Sequence, residues 1–149
     1  MSRTADYDAT VRWTGGHRGH VVMGNGPEMV FSAPPDAHGE ANVLTPEDAF
    51  VASVNTCVML MFIWACERFK LQLISYECRG VGTKVIELDR TELFQAVRLT
   101  PRIRVSAGSE STSAVENRTR RALQSAQKYS LVANSIKSKV EIDPELVIV

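Results

Sequence analysis

Thr45-Pro46-Glu47-Asp48-Ala49-Phe50-Val51-Ala52-Ser53-Val54-Asn55-Thr56-Cys57-Val58-Met59-Leu60-Met61-Phe62-Ile63-Trp64-Ala65-Cys66 is the most strongly patterned stretch of the 149-residue chain. A threonine stands where a helix N-cap accepts from the first free amides, and a proline follows at the first helical position. Two acids then fall where the helix dipole favours negative charge. This spacing predicts a helix from Pro46 to about Lys70. It is apolar nearly all round, so most of its surface has to be enclosed. A domain of this size rarely wraps so long a helix by itself, and a partner subunit is therefore expected to cover part of it. From Ala49 to Cys66 the run also reaches the lower edge of membrane-spanning length. Ser53, Asn55 and Thr56 interrupt it and charges crowd both ends, so a central buried helix is the expectation and a membrane partner is not.

Outward from that helix the pattern changes to short strands. On the N-terminal side, Tyr7 to Trp13 alternates and Thr14 to Gly19 is a glycine turn. His20–Met23 and Met29–Ser32 then form a hairpin around Gly24-Asn25-Gly26-Pro27. Pro34 to Asn42 reads as loop. On the other side, Leu73–Val85 and Leu93–Val105 read as two long strands, with Pro101 marking an edge position or a bulge. Thr112 to Gln127 is an amphipathic helix with Val115, Leu123 and Ala126 inward and Glu116, Arg118, Arg120 and Arg121 toward solvent. A helical turn from Leu131 to Lys137, a strand from Lys139 to Ile142 and an apolar tail from Leu146 to Val149 complete the chain. The fold class is α+β: one domain spanning 1–149, with a mainly antiparallel sheet packed on the long helix.

Composition narrows the function classes. Seventeen basic residues cancel seventeen acidic ones, so there is no built-in pull toward nucleic acid or an anionic membrane. Cys57, Cys66 and Cys78 are odd in number and lack C-x-x-C spacing, which argues against a disulfide framework or a cysteine zinc site. The first residues, Met1 to Asp8, have no apolar core, and with free thiols they point to the cytoplasm. His17, His20 and His38 sit on glycine-rich segments without paired acids, so no metal is expected.

Cys57 carries the chemistry if any residue does. Free cysteine is often just a small core residue. A reactive one needs a cation or hydrogen-bond donors at its sulfur. No positive charge lies in the local run, so an arginine has to come from elsewhere: Arg18 in the glycine turn, or Arg12 in the preceding strand. Glu47 is available to orient it, although it stands about 15 Å from Cys57 along an unbroken helix. Spacing alone leaves both readings of Cys57 open.

Two motifs carry a resemblance. Thr45-Pro46-Glu47-Asp48 with Cys57 ten positions after the glutamate resembles the central helix of the OsmC/Ohr family, which comprises osmotically inducible protein C and the organic hydroperoxide resistance proteins. Ala126-Gln127-Lys128-Tyr129-Ser130-Leu131-Val132-Ala133-Asn134 is similar to that family's Ala-Glu-Lys-x-Cys-Pro-Val-Ser-Asn segment. Here Ser130 stands in the second-cysteine position and Leu131 in place of proline. The resemblance implies an intertwined homodimer and a low-pKa cysteine that attacks organic hydroperoxides. It also implies a second cysteine that closes a disulfide, which an external dithiol reduces. By position Cys57 corresponds to the attacking cysteine and Glu47 to the arginine-orienting glutamate. Strict matching of Gly15-Gly16-His17-Arg18 puts His17 in the arginine's place, and a slip of one residue restores Arg18, which is preferred.

Serine forms no disulfide with a sulfenic acid, so the usual resolving step is absent. Cys66 lies nine residues beyond Cys57, on the opposite helix face and about 13 Å away, too far for a bridge. Cys78 reads as a buried strand cysteine. Two functions remain. One is a one-cysteine organic hydroperoxide reductase that needs an external thiol or dithiol and no cofactor. The other is a degenerate family member binding a small apolar ligand at the dimer interface.

Overall fold

The computed structural model describes residues 2–149, so Met1 at the head of the N-terminal reading lies outside the described residues. The chain divides into two compact units, Met1–Phe50 and Val51–Val149. The first holds a three-stranded antiparallel sheet: β1 (Ala9–Gly15), β2 (Arg18–Met23) and β3 (Glu28–Ser32), in that order. Gly15 and Gly16 turn β1 into β2 at positive φ, 117° and 53°, where a side chain would strain the backbone. Beyond β3 the loop folds back on itself. Ser32 Oγ accepts from the Glu40 amide at 3.1 Å, and a Cβ at Gly39 would run into the Ala33 carbonyl.

The long helix α1 runs from Pro46 to Arg68. Thr45 Oγ1 accepts from the Asp48 amide at 3.1 Å, as an N-cap should. Its far end comes two residues earlier than Lys70. Lys70 adopts φ 55°, and the amides of Lys70 and Leu71 close on the carbonyls of Glu67 and Cys66. That pair of reversed bonds satisfies the last carbonyls and stops the helix.

The second unit contains β4 (Gln72–Ile86) and β5 (Glu92–Ser106), paired antiparallel along almost their whole length. Then come α2 (Thr112–Tyr129), the single turn α3 (Leu131–Asn134), β6 (Lys139–Ile142) and β7 (Glu145–Ile148). The apolar tail is therefore a strand: β6 and β7 both pair with β5, and both in parallel. The α+β class stands, with an antiparallel spine and a parallel margin.

Pro101 corrects the expectation of an edge or a bulge. β5 is an interior strand, and Pro101 is buried within it opposite Cys78. The Leu99 carbonyl accepts from Asp143, and the Val105 carbonyl accepts from Val149. By strand alternation Pro101 therefore turns its missing donor to that same side. β6 pairs only with Ala96–Leu99, and β7 only with Arg102–Val105. The donorless residue falls in the gap between them, so no ladder bond is lost.

Along β5 the inner face is Val97, Leu99, Pro101, Ile103 and Val105, all buried, while Arg98, Thr100, Arg102 and Arg104 point outward. α1 adds Val54, Val58, Phe62, Ala65 and Cys66 to the core, and α2 adds Val115, Thr119, Ala122, Leu123 and Ala126. Asn55 Nδ2 donates to the Cys78 carbonyl at 3.0 Å, and the Phe62 and Tyr76 rings meet at 5.6 Å, so α1 lies against β4. Arg118 differs from the expected solvent face. Its guanidinium grips Glu110 at 2.7 and 2.9 Å and reaches the Lys70 carbonyl at 3.4 Å, joining the start of α2 to the end of the α1 turn. By length and composition alone α1 could cross a membrane. Its bonds to β4 and its buried face belong equally to a core helix.

Candidate active site

The second unit brings two residues of the sequence analysis into direct contact. Cys57 sits half-buried near the middle of α1, and the Ser130 hydroxyl donates to its sulfur at 3.1 Å. Ser130 is fully buried. It ends α2 with an extended backbone (φ −67°, ψ 115°) and at once caps α3, its Oγ accepting from the Ala133 amide at 3.2 Å. A hydroxyl has one proton and two lone pairs. With a lone pair taken by Ala133, the proton is free for the sulfur.

Two other cysteines are free. Cys66 is buried, and burial, followed by the neighbouring charge of Glu67, pushes its thiol up to about 11. Cys78 lies mid-strand on β4, and its thiol is also raised by burial, partly offset by hydrogen bonding from Tyr76 and Thr100. In both, burial disfavours the thiolate.

The remaining predicted residues lie in the first unit, Met1–Phe50. Arg18 opens β2, and its Nη1 bonds both carboxylate oxygens of Glu40, at 3.0 and 3.1 Å. The carboxylate that Arg18 bonds is Glu40. Glu47 is one of the two acids in the first turn of α1. His17 turns toward the loop, its ring 6.0 Å from that of His38 and its carbonyl accepting from Ala33. Arg18, one position on, makes the ion pair with Glu40. Arg12 is exposed on β1 opposite His20. Sequence reasoning missed Glu40: it sits in a stretch without periodicity, 22 residues from Arg18, and only the Gly39 fold-back brings it near.

The exposed side of α1 carries Ala52, Thr56, Leu60 and Trp64 at helical spacing, with Leu60 47% and Trp64 52% exposed. Apart from Thr56, this stripe is apolar.

The family model for OsmC-like proteins matches residues 39–145, taking in α1, the antiparallel pair and the α2–α3 junction. The chain belongs to the OsmC-like family. Solved structures agree on the fold at low identity. An OsmC-like protein of unknown function from Vibrio cholerae is 20% identical, covers 95% of this chain and 100% of its own, and superposes with a TM-score of 0.85. An OsmC-like protein from Mycoplasma pneumoniae is 13% identical, covers 97% and 99%, and has a TM-score of 0.79. An organic hydroperoxide resistance protein from Elizabethkingia anophelis is 17% identical, covers 100% of both chains and has a TM-score of 0.74. No curated protein matches the chain by sequence. Within this OsmC-like chain, the hydroxyl of Ser130 stands at the sulfur of Cys57.

Proposed function

We propose that this OsmC-like protein is a thiol peroxidase that reduces organic hydroperoxides through Cys57 alone and draws its reducing power from an external thiol or dithiol. The observation that carries this reading is the half-buried Cys57 sulfur held by a buried hydroxyl donor. Attack of the Cys57 thiolate on a hydroperoxide ROOH breaks the O–O bond. The hydroxyl oxygen joins the sulfur as a sulfenic acid, and the remaining alkoxide takes a proton and leaves as the alcohol ROH. One external thiol then forms a mixed disulfide with Cys57 and releases water. A second external thiol displaces Cys57, so the pair leaves oxidised and the enzyme thiol is restored.

Arg18 is assigned the role of polarising the peroxide, with Glu47 as a second carboxylate that can exchange for Glu40. In this reading the Arg18–Glu40 pair is a resting arrangement, since a guanidinium can trade one carboxylate for another at little cost on a half-exposed surface. The active form is a cytoplasmic homodimer joined through the Leu60 and Trp64 stripe of α1.

The test is direct trapping. Purified protein is mixed with cumene hydroperoxide and a dimedone-type sulfenic-acid probe, and the labelled peptide is mapped by mass spectrometry. Label on Cys57, absent from Cys57→Ser, is the expected result. If Cys57 stays unmodified well beyond stoichiometric peroxide, the peroxidase reading is wrong and a ligand-binding role takes its place.

A further inference from the structure

Ser130 is more than the position left by a lost cysteine. The residue is fully buried, yet its oxygen bonds two groups at once: it accepts from Ala133 N–H at 3.2 Å and donates to Cys57 Sγ at 3.1 Å. Those two bonds fix the hydroxyl rotor, because the cap takes a lone pair and the sulfur takes the proton. The residue is also fixed along the chain, as the C-cap of α2 and the N-cap of α3. Its donor is therefore set in direction before any reaction begins, as a preorganised site requires. A serine present only because the site had decayed would need neither the buried cap nor the aim at sulfur.

We infer that Ser130 is a positioning residue for Cys57: its capped hydroxyl holds the sulfur as an oriented nucleophile. This deepens the peroxidase reading and rests on it for its purpose. Its test does not, because nucleophilicity toward an alkylating agent can be measured without peroxide.

The experiment measures the second-order rate of Cys57 alkylation by iodoacetamide at neutral pH. Peptide mass spectrometry separates Cys57 from Cys66 and Cys78, and each rate is divided by the rate for the same variant in guanidinium. Two pairs isolate the hydroxyl: native serine against Ser130→Ala, and Ser130→Thr against its isostere Ser130→Val. A hydrogen bond worth about one tenfold factor predicts a normalised rate roughly tenfold lower in Ser130→Ala and Ser130→Val than in their hydroxyl-bearing partners. Ser130→Thr should lie within about threefold of the native chain, a rescue that a loss of packing would not give. Equal rates within each pair overturn the inference. If Ser130→Ala does not fold for want of its cap, the threonine–valine pair decides, and the reverse holds if the added methyl groups do not fit. Equal alkylation rates together with peroxide-labelled Cys57 would overturn the role of Ser130 and leave the peroxidase reading standing. A tenfold loss with no peroxide labelling would do the opposite.

Discussion

Replacing Ser130 with cysteine should let the chain close a disulfide that its native sequence forbids. In Ser130→Cys the new sulfur enters where Oγ now lies 3.1 Å from Cys57 Sγ, and a small side-chain rotation brings two sulfurs at that spacing to a bonding distance of about 2 Å. The bridge would join residues 73 apart in sequence. Chain-entropy arithmetic for a loop of that length gives about 4 kcal/mol of stabilisation, less any strain. With a urea slope of about 2 kcal/mol per molar, the oxidised variant should unfold about 2 M higher in urea than the same variant reduced. The assay has two parts. Stoichiometric cumene hydroperoxide should remove two titratable thiols from the variant and shift its urea midpoint, and dithiothreitol should reverse both. The native chain should lose one titratable thiol, to sulfenic acid, with no such midpoint shift, and Cys57→Ser/Ser130→Cys should show neither change. A variant that gains sulfenic acid on Cys57 without a bridge would refute the placement of residue 130 beside that sulfur.

Other outcomes follow from the same geometry. Phe62→Ala removes a fully buried ring in contact with Tyr76 and should cost about 3–5 kcal/mol, read as a fall in the denaturant midpoint with an unchanged slope. Cys66, with its thiol pushed up to about 11, should resist iodoacetamide at pH 8 in the folded chain and react once the chain is unfolded. Since the folded thiol keeps its proton above the ordinary value of 9.0, its contribution to stability is complete below pH 9. That contribution declines as pH rises toward 11, and Cys66→Ala should lack this alkaline slope in pH-dependent unfolding. Glu110 is held below the ordinary carboxylate range chiefly by its hydrogen bond from Arg118, so its contribution is present above pH 4.5 and is lost as pH falls through the lowered value. In Arg118→Ala the acid limb of the stability profile should flatten.

The parts of the molecule that follow from local chemistry were legible in the sequence. α1 announced itself through Thr45, Pro46 and its acids, and the structure keeps that cap. Its far end was misread because the stop depends on Lys70 taking a left-handed conformation, which no glycine signals. The tail after Asp143 read as an apolar end because four residues carry too little periodicity, and only a partner such as β5 makes them a strand. The site divides in the same way. Two motifs singled out Cys57 and Ser130, but their contact is a tertiary fact joining α1 to the α2–α3 junction. Glu40 was invisible because a loop carboxylate has no pattern. Its pairing with Arg18 depends on a chain reversal rather than on spacing.

The proline in the middle of β5 has one more consequence. Because its donorless side meets the gap between β6 and β7, the parallel margin is cut into two short lengths that share no ladder bond across that point. Each length can detach without dragging the other away, so the margin opens as two small units. In hydrogen exchange, the amides of Val97 and Leu99 should therefore report one opening and those of Ile103 and Val105 another, while β4 on the opposite side remains zipped. One imino acid in an interior strand thus works as a perforation line, giving a continuous sheet a place to part in stages.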